Sequence, residues 1–583
     1  MKKSCSKRIY LQHVNINKTQ NGGKRMKIKK VLSLACAIAM VAGLTTGCGV
    51  GNKSTSDSTK EAKRSSTKDS IIYGTPTAPG GTFNPVLAYL GSDNLIDNIV
   101  YGSLLSLKPD GSYEGYIAKD YEVSDDQKTV EFTLNDNIKW QDGEDFSADD
   151  IIFTLEAVAK TDDDSSKVAK IVGAQDFIEG KADSISGVSA DGNKLKIELT
   201  QSYAPFLADV GTLGVIPKHV WGDIPQEEWT NKTELLNNPI GCGPYKVTEY
   251  KDGESVTLEA FDNFFGGKAK IGTFIMKVVN QDAIAAELTS GNIDIIDVKE
   301  LKSDEVKELE DAGFTKYSIA DNMYQYISFN MRMPVFQDKN LRQAITYAID
   351  RQSILDNIVE GRGELINSPF IPNAWSTPDA SDLNDYAYNP DKAIELLEAS
   401  GWKDTDGDGI RENSAGEKLQ FTIRCSNDSK TRENAVLFVK ECLKKVGIEV
   451  EVSIEEDGVI AEDCIYNHNF EMYALNCYFG KDPNPYFWWH SSSASDEEGV
   501  ASFNFGSYKN ASVDENIEKG LSTMDQNERK AAYTEVAKQI NEDAPMIFLY
   551  VQNREIMCNS DLDGFDPGTF NVLYNVQKWS LAK

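Results

Sequence analysis

Residues 117–158 are the part of the sequence that constrains the fold most. Apolar and polar residues alternate from Thr129 to Leu134, which is the pattern of a strand buried on one face. A turn follows at residues 142–143, which are Asp-Gly. Ser147 and Asp150 then form an S-x-x-D capping pair directly before an apolar run. The stretch therefore predicts a strand, a turn and a capped helix.

The first 47 residues have the layout of an export signal with an upstream extension. Lysines precede an uncharged run at residues 31–44, which is too short to span a bilayer. The run ends in Leu-Thr-Thr-Gly before Cys48, which resembles a bacterial lipobox. The resemblance implies cleavage before Cys48 and lipidation of that residue. An ordinary signal peptide with a chance cysteine is the alternative.

A second methionine, Met26, begins a complete signal. We therefore expect translation to start there, with residues 1–25 as an upstream extension and residues 26–47 as a lipoprotein signal peptide. Residues 48–70 are rich in Ser, Thr, Lys and Asp, and this composition predicts a flexible linker.

Charge and motif content exclude several function classes. The chain has 91 acidic and 60 basic residues, which argues against nucleic acid or phospholipid headgroups as partners. The sequence has no HExxH, G-x-S-x-G or P-loop motif, so we expect neither an enzyme nor a cofactor. The cysteines after Cys48 include no C-x-x-C pair, and we expect mostly buried free thiols, with a disulfide framework as the alternative.

Three further segments have distinctive residue patterns. A strand at residues 71–74 is followed by Thr-Phe-Asn-Pro at residues 82–85, and residues 239–246 read PIGCGPYK. Residues 341–351, LRQAITYAIDR, predict a helix with one apolar face. At its end, Asp350 and Arg351 are typical of a surface ion pair. Farther on, residues 419–452 have a β-α-β pattern that predicts a covered, partly parallel sheet.

Together with residues 117–158, these segments resemble the signature of family 5 extracellular solute-binding proteins, the peptide, dipeptide and nickel receptors of ABC importers. The resemblance implies an α/β, two-lobed periplasmic-binding-protein-like fold (type II, cluster C) with an extra subdomain in the first lobe. It places lobe I at residues 71–107, 238–325 and 552–583, the extra subdomain at 108–237, and lobe II at 326–551.

The resemblance also identifies candidate ligand-binding residues. Residues 473–491, YALNCYFGKDPNPYFWWHS, are similar to the family segment that faces the peptide. Asp482 is its only acid and is the candidate counter-ion for a peptide ammonium, since an unpaired buried charge is costly. The candidates that would border the peptide are Phe83, Asn84, Tyr478, Phe479, Tyr486 and Trp488.

The implied function is the capture of oligopeptides or dipeptides between the lobes for import. The implied partners are peptides, ABC permease and ATPase subunits, and the bacterial cell membrane through the lipid anchor. The protein would be a monomer outside the cytoplasm. An oligosaccharide, nickel or haem ligand in the same fold is the main alternative, and a hydrolase or a purely structural lipoprotein are the others.

One acidic loop stands apart from these patterns. Asp404, Asp406 and Asp408 copy the first half of an EF-hand calcium loop. The twelfth position, where a glutamate is expected, holds Ala415. The loop is therefore either a weak calcium candidate or an acidic turn, and we predict no other metal site.

Overall fold

The computed structural model describes residues 69–162 and 164–582. Its main strands, in chain order, are β1 (Ser70–Thr75), β2 (Leu105–Leu107), β3 (Tyr113–Gly115), β4 (Ala118–Val123), β5 (Thr129–Leu134), β6 (Val188–Asp191), β7 (Lys194–Glu198), β8 (Tyr245–Lys251), β9 (Ser255–Ala260), β10 (Thr273–Val278), β11 (Ile295–Asp297), β12 (Phe314–Phe329), β13 (Gly363–Leu365), β14 (Gln420–Ser426), β15 (Glu449–Glu455), β16 (Met472–Tyr478), β17 (Met546–Asn559), β18 (Leu562–Asp563) and β19 (Ser580–Leu581).

The α-helices cover the sheets and connect their strands. They are Gly91–Val100, Ala148–Ala159, Ser165–Val168, Ala174–Ile178, Lys218–Trp221, Thr233–Asn237, Ile284–Thr289, Ser303–Asp311, Lys339–Tyr347, Arg351–Asn357, Pro390–Ala399, Lys430–Lys444, Asp457–Ala461, Tyr486–Trp489, Ala511–Leu521 and Gln526–Asp543.

One mixed sheet runs through both halves of the molecule. Its strand order is β15-β14-β16-β12-β17-β11-β1-β10-β9-β8, with β13 paired to β17. The long antiparallel strands β12 and β17 form the centre of this sheet. The predicted β-α-β unit is present, because β14 and β15 pair in parallel and the helix Lys430–Lys444 connects them. The fold is the two-lobed α/β architecture predicted from the sequence.

The pairing of β12 with β17 is irregular where the two lobes meet. Residues 314–320 pair with 553–559, and pairing resumes between residues 324 and 551. Beyond this break, β16 pairs with residues 323–329 of β12, whereas β11 pairs with residues 556–558 of β17. A second register shift lies between residues 325 and 326, so the irregular pairing falls beside the predicted borders at 325/326 and 551/552, which stay predictions. We propose that the lobes divide at the pairing break.

The opening motif connects two segments within the predicted extra subdomain. Strands β4, β5, β7 and β6 form a separate antiparallel sheet next to the helix Ala148–Ala159. Asp150 accepts hydrogen bonds from the backbone N–H of Ser147 (2.9 Å) and of Lys218 (2.9 Å). The predicted cap thus also fixes a second segment, and both segments share one core with the first lobe.

Arginines in the second lobe satisfy buried backbone carbonyls. The prediction of a surface ion pair at Asp350 and Arg351 is wrong. Arg351 is buried and donates to the carbonyl oxygens of Ile366 (3.0 Å) and Phe548 (2.9 Å). Asp350 instead caps its own helix, accepting from the backbone N–H of Ser353 (3.0 Å). Burial lowers the pKa of Arg351 to about 10.

Candidate functional site: a charged cleft between the lobes

Asp482 is paired with an arginine of its own lobe. Arg529, on the helix Gln526–Asp543, donates two parallel hydrogen bonds to Asp482, of 2.6 and 2.7 Å. The side chains are only 7% and 9% exposed. Such a bidentate, nearly desolvated pair fixes the orientation of both groups. Asp482 is therefore a positioned carboxylate whose charge is already partly neutralised.

Arg529 is held on its remaining sides as well. Its Nε donates to the carbonyl oxygen of Gly520 (3.0 Å) and its Nη2 to the hydroxyl of Tyr533 (3.2 Å). The guanidinium carbon also lies 5.0 Å from the ring centroid of Trp375 and 5.4 Å from that of Tyr533, within cation–π range. These contacts hold the Arg529 guanidinium in place, and the guanidinium in turn holds the Asp482 carboxylate.

The first lobe places a second acid near this pair. Asp209 lies in the short π-helix Leu207–Gly211 and accepts a hydrogen bond from the hydroxyl of Tyr203 (3.0 Å). Burial, followed by the negative charge of Asp482, raises the pKa of Asp209 to about 7. The two carboxylates therefore interact electrostatically although they belong to different lobes.

A lysine of the second lobe reaches across to the first. Lys481 Nζ donates to the hydroxyl of Thr212 at 3.1 Å. The residue keeps more than a third of its surface accessible, but protein atoms crowd its ammonium. Desolvation, followed by the positive charge of Lys167, lowers the pKa of Lys481 to about 8. The contact with Thr212 ties the segment that holds Asp482 to the segment that holds Asp209.

Backbone groups also join the lobes. The N–H of Ala204 donates to the carbonyl oxygen of Leu521 at 3.0 Å, and the N–H of Met524 donates to the side-chain oxygen of Gln127. In the predicted division, Ala204 and Gln127 belong to the first lobe, and the other two residues belong to the second. The structure therefore shows the lobes in contact around the charged cleft.

A second group of charges lies beside the break in strand pairing. Lys299 Nζ is 3.5 Å from a carboxylate oxygen of Asp321, and Arg554 is 3.6 Å from the other oxygen. Arg554 also lies 3.4 Å from Asp297. These groups come from β17, from the end of β11 and from the loop after it, and from the irregular part of β12. They place charge at the break in strand pairing, where we propose that the lobes divide.

Two predicted ligand residues lie inside the first lobe. Phe83 and Asn84 are both 0% exposed. The Phe83 ring packs edge-on against Tyr250 at 5.4 Å, and Asn84 accepts a hydrogen bond from the N–H of Val86 (2.9 Å). In this conformation both side chains support the segment from within, and contact with a ligand stays a prediction for them.

The four predicted aromatic residues of the second lobe lie in different surroundings. Tyr478 is half-buried near the charges of Asp321 and Lys299. Phe479 is buried and packs edge-on against Phe370. In a third environment, Tyr486 stacks on His490 at 4.3 Å and Trp488 lines a cavity of about 20 Å³ inside the second lobe. Tyr478 thus lies beside charges found between the lobes.

Sequence reasoning missed Asp209 and Arg529. Neither belongs to a recognisable motif, and Arg529 lies 47 residues after its partner Asp482. One weak signal was available. Arg529 is a basic residue one turn into a helix capped by Asp525, and it falls on the face that holds Tyr533.

Two lobes that share a continuous sheet, with charged groups where they meet, are the architecture of binding proteins of the periplasmic type. The family model described as bacterial extracellular solute-binding proteins, family 5 Middle, matches residues 112–498. The chain belongs to this family of extracellular solute-binding proteins, which confirms the resemblance seen in the sequence.

Relatives of this chain are known with different ligands. The oligopeptide-binding protein AppA of Bacillus subtilis is 29% identical over 96% of this chain and 100% of its own length. The structure of AppA with a nonapeptide has a TM-score of 0.68 and 28% identity, over 88% of this chain and 99% of that one. NikZ of Campylobacter jejuni in complex with Ni(L-His) has a TM-score of 0.70 and 26% identity, over the same shares of the two chains.

The family places this chain outside the cytoplasm. Among the described residues, no helix is both long and apolar enough to cross a membrane. The predicted lipidation site Cys48, like the signal and most of the linker, lies outside the described residues.

Proposed function

We propose that this protein captures peptides in the cleft between its lobes and delivers them to an ABC importer. One observation carries the proposal. Asp482 with Arg529 on one side of the cleft, and Asp209 on the other, provide positioned charges in a desolvated space. A peptide with free ends is a zwitterion, and it needs such charges to compensate its own desolvation. The similarity to AppA supports this ligand class.

The ammonium group of the peptide would lie between the lobes, against Asp482. A carboxylate has about four lone-pair positions, and the bidentate contact with Arg529 uses two of them. The remaining positions can accept from an ammonium. Above its raised pKa of about 7, Asp209 would add negative charge from the opposite lobe, with Tyr203 holding it in place. Tyr478, Phe479, Tyr486, Trp488, Phe83 and Asn84 remain the candidates for contacts along the peptide.

The same proposal includes the other parts of an import system. Cys48 would carry the lipid anchor, and residues 48–70 would tether the folded part to the bacterial cell membrane. The protein would act as a monomer that meets the permease and ATPase subunits of its transporter. Capture and release change no covalent bond, so we propose no enzymatic activity.

Thermal unfolding with a ligand panel tests the ligand class. The panel contains free and N-acetylated peptides of two to nine residues, cello-oligosaccharides, nickel with histidine, and haem. A ligand present at about 100 times its dissociation constant stabilises the folded form by about 2.7 kcal/mol. We expect stabilisation by free peptides and its loss on acetylation. Stabilisation by a sugar, nickel or haem alone would overturn the peptide proposal.

Calorimetric titration of Asp482→Asn tests the role of the carboxylate. The variant keeps the shape of the side chain but cannot counter an ammonium charge, so we expect peptide affinity to fall by about 10-fold or more. Asp145→Asn is the matched control, because Asp145 is 81% exposed and pairs with Lys139 on the surface. Equal peptide affinity in both variants would leave the receptor in place and remove Asp482 from the site.

A further inference from the structure

We infer that the acidic loop at residues 404–412 is a calcium site, formed by Asp404, Asp406, Asp408 and Glu412. One carboxylate oxygen from each residue lies within 4.8 Å of the others. Oxygens that bind one calcium ion at 2.3–2.6 Å lie at most about 5 Å apart. The four oxygens are thus close enough to share one ion without a large rearrangement.

Glu412 provides independent evidence for a ligand. Its side chain is only 5% exposed, and its Oε1 has no hydrogen-bond partner among the described residues. The other oxygen, Oε2, accepts from both the N–H and the hydroxyl of Thr405, each at 3.0 Å. A buried carboxylate oxygen without a partner is costly, and a cation beside it removes that cost. Its position among three other carboxylates makes a divalent cation the fitting partner.

The surrounding chain holds Glu412 in place. Its backbone exchanges two hydrogen bonds of 2.9 Å with the backbone of Lys403. The ammonium of Lys418, shortly before the next strand, contacts Asp408. Arg411 fastens the loop to the second lobe by donating to the carbonyl oxygen of Val446 (2.8 Å). The Glu412 carboxylate therefore lies in a hairpin that hydrogen bonds fix to the second lobe. The three aspartates lie in the exposed turn.

The spacing explains why the sequence alone left the site open. Asp404, Asp406 and Asp408 occupy positions one, three and five of an EF-hand-like loop, and Ile410 has the position that supplies a backbone carbonyl. The expected glutamate at position twelve is replaced by Ala415, but Glu412 at position nine completes the set. An all-oxygen set with four carboxylates suits calcium, whereas magnesium usually keeps several waters.

The bound ion would cross-link two parts of this loop. The loop connects the helix Pro390–Ala399 to strand β14 of the second lobe. An ion bound by both the turn and the hairpin would hold this connection closed. Its role would be stability of the second lobe, separate from the charged cleft and independent of the ligand proposed above.

Calorimetric titration of the chelator-stripped protein with calcium chloride tests the inference, with magnesium chloride in parallel. Because extracellular calcium modules bind with dissociation constants of about 10⁻⁴–10⁻³ M, we expect one site in that range or tighter. The melting temperature should rise with calcium and fall again with chelator. Magnesium should bind at least about 10-fold more weakly. No calcium binding at millimolar concentration would overturn the inference.

Variants locate the ion. Asp406→Asn and Glu412→Gln should each weaken calcium binding by about 10-fold or more, because each removes one charged ligand. Glu417→Gln is the matched control, since Glu417 belongs to the same hairpin and pairs with Asn413 instead. Asp406 is exposed, so its variant is informative even if Glu412→Gln folds poorly. Calcium affinity that is unchanged in Asp406→Asn would place the ion elsewhere.

Discussion

Asp482 and Arg529 form a two-point salt bridge inside the second lobe, with N–O distances of 2.6 and 2.7 Å. Removal of one partner leaves a buried charge without compensation. We therefore expect Arg529→Met to lower the free energy of unfolding by about 3–5 kcal/mol. Urea unfolding followed by tryptophan fluorescence measures this loss. Trp375 lies against Arg529 and is one of the eight tryptophans that contribute to this signal.

A double variant and a surface pair control this experiment. Asp482→Leu combined with Arg529→Met removes both charges, and most of the lost stability should return. The pair of Lys307 and Asp311 is 71% and 68% exposed, so Lys307→Ala should cause no measurable change. If the double variant is as unstable as Arg529→Met, packing and not charge would explain the loss.

Asp209 predicts a pH dependence of stability in the acidic range. Burial, and then Asp482, raise its pKa from 3.8 to about 7 in the folded protein. Between these values the folded protein holds a proton that the unfolded chain has released. Its contribution to stability is therefore largest below about pH 4 and is lost as the pH rises to about 7. The Asp209→Asn variant has no such proton and should lack this loss.

Melting temperatures from about pH 5 to about pH 7.5 measure this difference. Relative to the unmodified protein, Asp209→Asn should become progressively more stable as the pH rises. Asp145→Asn, which changes an exposed acid, should follow the unmodified curve in parallel. The lowered pKa of Lys481, about 8, acts above this range. Parallel curves for Asp209→Asn would show that Asp209 titrates normally in solution.

The sequence predicted the local parts of this molecule well. The strand Thr129–Leu134 and the capped helix after Ser147 depend on neighbouring residues, and both are present. The prediction failed at Arg351, because a surface pair and a buried carbonyl-binding arginine have the same local sequence. Burial is set by β17, which lies almost 200 residues farther along the chain.

Most of the charged residues between the lobes could not be predicted from local sequence either. Asp482 could be singled out because it is the only acid of its segment. The fold alone brings its partner Arg529, from the helix Gln526–Asp543, and the opposing Asp209, from the other lobe, near it. In the calcium loop, three ligands follow a local spacing, whereas the value of Glu412 depends on its burial. In both arrangements, the remaining residues are identified only once the fold shows their burial and their neighbours.

Adding one methyl group at Gly241 should reduce the stability of the protein strongly. A Cβ at this position would lie 1.9 Å from the carbonyl oxygen of Val100, and both residues belong to backbone segments that cannot easily separate. Gln141 of the opening motif further binds this segment by accepting from the N–H of Gly241 at 3.0 Å. We expect Gly241→Ala to reduce stability by about 3 kcal/mol, measured as a lower urea midpoint.

Gly91 provides the matched control for this substitution. It is exposed at the start of the helix Gly91–Val100, and an added Cβ would meet no atom within 4 Å. Gly91→Ala should therefore leave stability unchanged or raise it by about 0.4–1 kcal/mol. Equal stability of both alanine variants would mean that residues 100 and 241 move apart readily.

We expect the folded protein to react slowly with thiol reagents. All six that follow Cys48, namely Cys242, Cys425, Cys442, Cys464, Cys477 and Cys558, are buried and unpaired. Burial raises the pKa of Cys242 and Cys425 to about 12, so little reactive thiolate forms at neutral pH. Ellman's reagent should label the native protein slowly. After unfolding without reductant, the six thiols should react at once, whereas a shortfall by a pair would reveal a disulfide.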